Sequence, residues 1–110
     1  MDNVTDADFD RLHAMVLQHG FESEWCLYSV KDFDAVPYPQ VKFVQYKDYW
    51  PDNDLDRTPM VLELPIGGKA TWLDIWRACD ALIRQSGDTH HEYIEVLRLE
   101  GDRLILECGS

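Results

Sequence analysis

The sequence predicts an α+β fold: an antiparallel sheet of about five strands with two helices packed on one face, in the order α-β-β-β-α-β-β. Three observations predict it. Two segments, 6–19 and 72–85, place apolar residues at helical spacing behind a Thr-x-x-Asp start. Short segments rich in β-branched and aromatic residues alternate with breaks that carry Pro or Gly. Only one connection between strands contains a helix, which argues against a doubly wound parallel sheet.

The first helix runs from Asp6 to His19, capped by Thr5 with Asp8 three residues on. Asp6, Asp8 and Asp10 put negative charge where a helix N-terminus favours it. Phe9, Leu12, His13 and Val16 fall at i, i+3, i+4 and i+7 and read as one buried stripe, and Gly20 ends the helix. Glu24 to Lys31 reads as a strand, followed by a loop through Pro37 and Pro39. Val41 to Tyr46 and Met60 to Leu64 read as the next two strands, separated by the polar stretch 47–59 between Pro51 and Pro59. Pro65-Ile66-Gly67-Gly68 breaks the chain again, and the glycines read as a flexible lead-in to the second helix.

The second helix is the clearest element. Thr71 and Asp74 repeat the capping spacing, and Trp72, Ile75, Trp76, Cys79, Leu82 and Ile83 keep the helical period throughout. Ser86-Gly87 ends it. His91 to Leu99 and Arg103 to Cys108 then form a hairpin about Glu100-Gly101-Asp102. Leu104, Ile105 and Leu106 are apolar in succession, so both faces of the last strand are expected to be covered.

Length and composition predict one acidic domain spanning residues 1–110. Asp and Glu number 21 against 10 Lys and Arg, for a formal charge of −11, and acids exceed bases in both halves of the chain. The aromatic and aliphatic content is enough for a core, which separates this chain from disordered acidic ones. Such a surface repels nucleic acid and anionic membranes and attracts basic partners over about 8 Å at physiological salt. No apolar run approaches the roughly 18 residues of a membrane span, and residues 1–4 carry no signal-peptide pattern. Cys26, Cys79 and Cys108 are odd in number and widely spaced, which predicts reduced thiols and a cytoplasmic protein.

No cofactor or catalytic signature is present. Asp52, Asp54, Asp56 and Glu63 occupy positions 1, 3, 5 and 12 of a calcium-loop pattern, but Arg57 stands where the turn needs Gly, and Pro59 follows. Asp88-Thr89-His90-His91-Glu92 holds adjacent imidazoles that point to opposite faces in a regular strand. Gly67-Gly68-Lys69-Ala70-Thr71 lacks the spacing of a phosphate loop. No nucleophile, base and orienter share a recognisable spacing.

The charge leads to the functional expectation: a non-enzymatic acidic binding protein that inhibits or masks a basic, nucleic-acid-binding or nuclease-like protein. Its carboxylates would stand in for phosphates. The expected binding surface is the acidic loop, with Tyr49 and Trp50 as anchors and Asp52, Asp54 and Asp56 as charges. In size and charge alone, the chain resembles small bacterial and phage-borne inhibitors; no residue motif carries that resemblance. Two other readings stand beside it. One is a self-assembling module that dimerises through a free strand edge or the C-terminal hairpin. The other is a metal-binding protein or enzyme, with its site at 52–63 or 88–92.

Overall fold

Helix α2, Trp72–Ser86, forms because every amide of its first turn has a partner. Trp72 N and Leu73 N donate to the carbonyls of Ala35 and Phe33, at 3.0 and 3.1 Å. Asp74 N donates to Thr71 Oγ1, and Thr71 N donates back to Asp74 Oδ2, both at 3.1 Å. This is the capping box expected from the sequence. It also ties the proline-bearing loop to the helix. The structure, a computed structural model, describes residues 6–48, 60–86 and 93–109.

The element order is α1 (Asp6–His19), β1 (Glu24–Trp25), β2 (Phe43–Asp48), β3 (Met60–Pro65), α2, β4 (Tyr93–Glu100) and β5 (Arg103–Gly109). Five strands form one sheet in the order β1-β4-β5-β2-β3. Hairpins β2–β3 and β4–β5 are antiparallel, but β1 pairs with β4 and β2 with β5 in parallel. The sheet is therefore mixed, not antiparallel as the sequence suggested. Each antiparallel pair joins strands that are consecutive in the described order, whereas the parallel contacts join strands far apart in sequence. Helix α2 packs across β2 and β3, and α1 lies against β1.

The expected strand Glu24–Lys31 shrinks to Glu24–Trp25. A local turn takes its backbone: Val30 N donates to Leu27 O at 3.1 Å, and the Trp25 indole N–H donates to the same carbonyl at 3.0 Å. Trp25, Val30 and Phe33 reach the core from this loop instead of from an alternating strand. The glycine lead-in is also a defined turn. Gly67, Gly68 and Lys69 have φ of 73°, 73° and 53°, and Lys69 N donates to Pro39 O at 3.3 Å. Gly20, at φ 70°, ends α1 with Phe21 N donating to Val16 O, a Schellman stop.

The core is aromatic at its centre. Trp76, fully buried, sits 4.5 Å from Phe21, 5.4 Å from Trp25 and 5.7 Å from Phe33, ring centre to ring centre. Its indole N–H donates to Ser23 Oγ, which donates to Asp80 Oδ1 at 2.6 Å. Asp80 Oδ1 also accepts Glu22 N and Ser23 N, at 2.9 and 2.8 Å, and Arg84 Nε lies 2.9 Å from Oδ2. Arg84 further donates to Gly20 O.

Leu104 and Leu106 join the core, and Ile105 between them points to the opposite face yet is only 3% exposed. There it lies in register with Arg98 and Gln45. Arg98 pairs with Glu100 and Glu107 at 3.1 and 3.2 Å. Arg103 pairs with Glu63 at 2.7 Å and lies over the Phe43 ring. Arginine stems cover apolar surface in this way while their heads stay in water. The second face of β5 is thus covered by its own chain.

Replacing Asp80 by Ala should strand the Glu22 and Ser23 amides and lower stability by about 3 kcal/mol. Asp80→Asn, which keeps an acceptor, should cost less. Urea unfolding followed by tryptophan fluorescence measures both.

Candidate functional site

Helix α1 buries little of itself: only Leu12 is buried, although the stripe Phe9, Leu12, His13, Val16 has the expected period. Phe9 is 51% exposed and His13 is exposed. The reason is geometric. Chain turning away after Trp25 leaves a cleft between α1 and β1 where a longer strand would have packed. The cleft has a volume of about 490 Å³ and is lined by Phe9, Asp10, Leu12, His13, Val16, Glu24, Trp25 and Tyr28. Such a volume falls in the roughly 300–1,000 Å³ range of ligand pockets.

Phe9 and Tyr28 meet edge to face with ring centres 5.8 Å apart. Trp25 reaches the cleft from the aromatic core, where it contacts Phe33, Trp72 and Trp76. Asp10 comes from the helix side and Glu24 from the strand side. The walls are thus mostly apolar and aromatic, with His13 and Asp10 from α1 and Glu24 from β1 as the polar members.

Charge is distributed unevenly around this cleft. The arginines of α2 and of the sheet are engaged: Arg77 with Asp74, Arg84 with Asp80 and Glu22, and Arg98 and Arg103 with Glu63, Glu100, Asp102 and Glu107. Arg11 of α1 and Lys31 of the following loop both turn to Asp8. Among the described residues, Asp6, Asp10, Glu24, Asp34 and Glu95 form no ion pair. Asp6 lies one helical turn from Asp10. Glu24 and Glu95 both act on Cys26.

That field is felt by neighbouring groups. Partial burial pushes the Cys26 thiol up from its ordinary value, and Glu95 and Glu24 push it further, against a hydrogen bond with Tyr28 that lowers it. Tyr28 is likewise raised, first by burial, then by Cys26 and Glu24. A nucleophilic cysteine needs the opposite shift, toward thiolate. Cys26 also lies just outside β1, not within a strand as the sequence suggested. Cys79 is fully buried in α2, its thiol raised well above the ordinary value by burial and then by Cys108. Both thiols are thus held in their protonated form to higher pH than a free thiol.

The residues expected to bind a partner, Tyr49, Trp50, Asp52, Asp54 and Asp56, lie outside the described residues, as do His90 and His91. Glu63, the twelfth position of the calcium-like pattern, is described and is bound to Arg103. Among the described residues, no three His, Cys, Asp or Glu side chains are grouped as metal ligands. Also among them, no helix is long and apolar enough to cross a membrane. The cleft itself was missed in the sequence. Its one available signal was Phe9 set between Asp8 and Asp10, an aromatic in the most acidic turns of the chain. No protein-family model, curated protein or solved structure matches this chain.

The raised thiols carry a pH consequence. Cys79 and Cys26 keep their protons to higher pH when folded than when unfolded. Their contribution is whole below the ordinary thiol value of 9.0 and is lost as pH rises through the folded values. Thermal midpoints should therefore fall above pH 9.0, less steeply in Cys79→Ala. Iodoacetamide should leave Cys79 unlabelled in the native protein, as read by mass spectrometry.

Proposed function

We propose that this chain is a non-enzymatic acidic protein that binds a basic protein partner and masks or inhibits it. The partner would be of nucleic-acid-binding or nuclease-like character, its phosphate-reading surface met by carboxylates. One observation carries the reading. Among the described residues, Asp10 and Glu24 line an open cleft and form no ion pair, while Arg77, Arg84, Arg98 and Arg103 are each engaged with neighbouring acids. Unneutralised charge beside low-dielectric walls focuses the field and speeds encounter with a cationic surface.

In this reading the 49–56 loop supplies further steering charge through Asp52, Asp54 and Asp56, with Tyr49 and Trp50 as anchors. Both helices share one face of the sheet. Trp25 supports this, since it packs on Trp76 of α2 and also lines the cleft beside α1. The protein works in the cytoplasm, in keeping with its three cysteines, none of which is in a disulfide.

A second reading, self-assembly, is favoured by the outer edge of β4. There β1 pairs only with Tyr93 and Ile94, and beyond them Val96 and Leu99 are 43% and 42% exposed. Light scattering at micromolar concentration separates the two, since the first reading predicts a monomer.

Affinity capture from source-cell lysate at low and high salt tests the main proposal. A basic nucleic-acid enzyme retained at low salt and released at high salt is the expected result. With that protein purified, Asp52→Asn/Asp54→Asn/Asp56→Asn should slow association and flatten its salt dependence while leaving the melting temperature in place. Association as fast as the parent's at low salt removes the loop from the steering surface.

A further inference from the structure

The α1–β1 cleft has features that the charge argument leaves unused: aromatic walls and two carboxylates, one from the helix and one from the strand. We propose that it is a pocket for one arginine side chain of the basic partner; this rests on the basic-partner reading and specifies it. Three features select a cation that also has an apolar or planar surface. Phe9 and Tyr28 stand edge to face, so differently oriented rings border one space, and Trp25 adds a third aromatic lining. A cation against aromatic faces is attracted by the ring quadrupoles. Asp10 and Glu24 enter from opposite sides, and among the described residues neither forms an ion pair. Asp10 and Glu24 therefore ask for more than one donor from whatever lies between them.

A guanidinium meets both demands at once. It is planar and stacks on rings, and its five N–H groups can reach two carboxylates from one position. An ammonium on a lysine stem is a compact charge that satisfies one side better than two. Of the remaining lining, Leu12, His13 and Val16, the two aliphatic residues suit the methylene stem of the same side chain, and the His13 ring adds a further planar surface. Arg11 and Lys31 of this chain are held away from the cleft by Asp8, and Arg11 lies over Phe33. Neither fills the pocket from within.

The test uses the full chain and three blocked tripeptides: Gly-Arg-Gly, Gly-Lys-Gly and Gly-citrulline-Gly, the last a neutral near-isostere of arginine. Binding is followed by NMR shifts of the Phe9, His13, Glu24 and Tyr28 signals. The arginine peptide should give saturable shifts confined to these residues, with the lysine peptide weaker and the citrulline peptide weaker still by about tenfold or more. Phe9→Ala and Asp10→Asn/Glu24→Gln should each weaken the arginine peptide by about tenfold, through the lost ring contact and the lost charge-assisted bonds. Phe9, Asp10 and Glu24 are exposed, so unchanged melting curves serve as the folding control. Equal binding of the citrulline peptide, or shifts scattered over the surface, overturns the proposal. So does lysine binding as tightly as arginine. If the purified partner loses association with Asp52→Asn/Asp54→Asn/Asp56→Asn but keeps it with Asp10→Asn/Glu24→Gln, the pocket assignment falls and the basic-partner reading stands.

Discussion

Asp80 holds the two halves of the molecule together. It is 5% exposed, and its carboxylate accepts two backbone amides and a hydroxyl from the segment after α1 while facing Arg84 of its own helix. A buried carboxylate is costly unless its lone pairs are filled, and here both oxygens have partners. The consequence is positional. Residues 20–23 are fixed against α2, which places Phe21 and Trp25 on Trp76 and starts β1 beside β4. Where β1 starts and how soon it ends define the cleft. A single structural acid thus positions the surface to which function is assigned.

The distribution of cations follows from the sheet. One face of β5 carries Ile105, which no helix covers in the apolar core, and Arg98 and Arg103 lie across that face in ion pairs with neighbouring acids. Such exposed pairs contribute little to stability individually. Their larger effect is on the field, because each one cancels charge locally. At the α1–β1 end Asp8 is paired with Arg11 and Lys31, while among the described residues Asp10 and Glu24 form no ion pair.

Much of the local architecture was legible. The Thr71–Asp74 capping box, the α2 stripe centred on Trp76, the Gly20 stop and the Gly101 hairpin turn are each written in residues within a few positions of one another. The misread parts lie where short-range signals compete. Glu24 to Lys31 has strand composition, but the turn at Leu27 to Val30 and the indole bond of Trp25 claim its backbone. Phe9 and His13 keep helical spacing, but period alone does not say whether anything packs against the stripe. For the same reason the cleft was invisible: it exists because an expected neighbour is missing, and no residue encodes a missing neighbour.

The chain by itself determined most of its elements, the cap of α2 and its surplus of carboxylates, because these depend on contacts between residues close in sequence or on simple counting. Tertiary structure alone decided that the two antiparallel hairpins meet through parallel strands. That choice is set by which apolar edges and faces fit together across the whole sheet. It alone also decided which carboxylates are neutralised, since an ion pair such as Arg103–Glu63 joins side chains that only folding brings within reach.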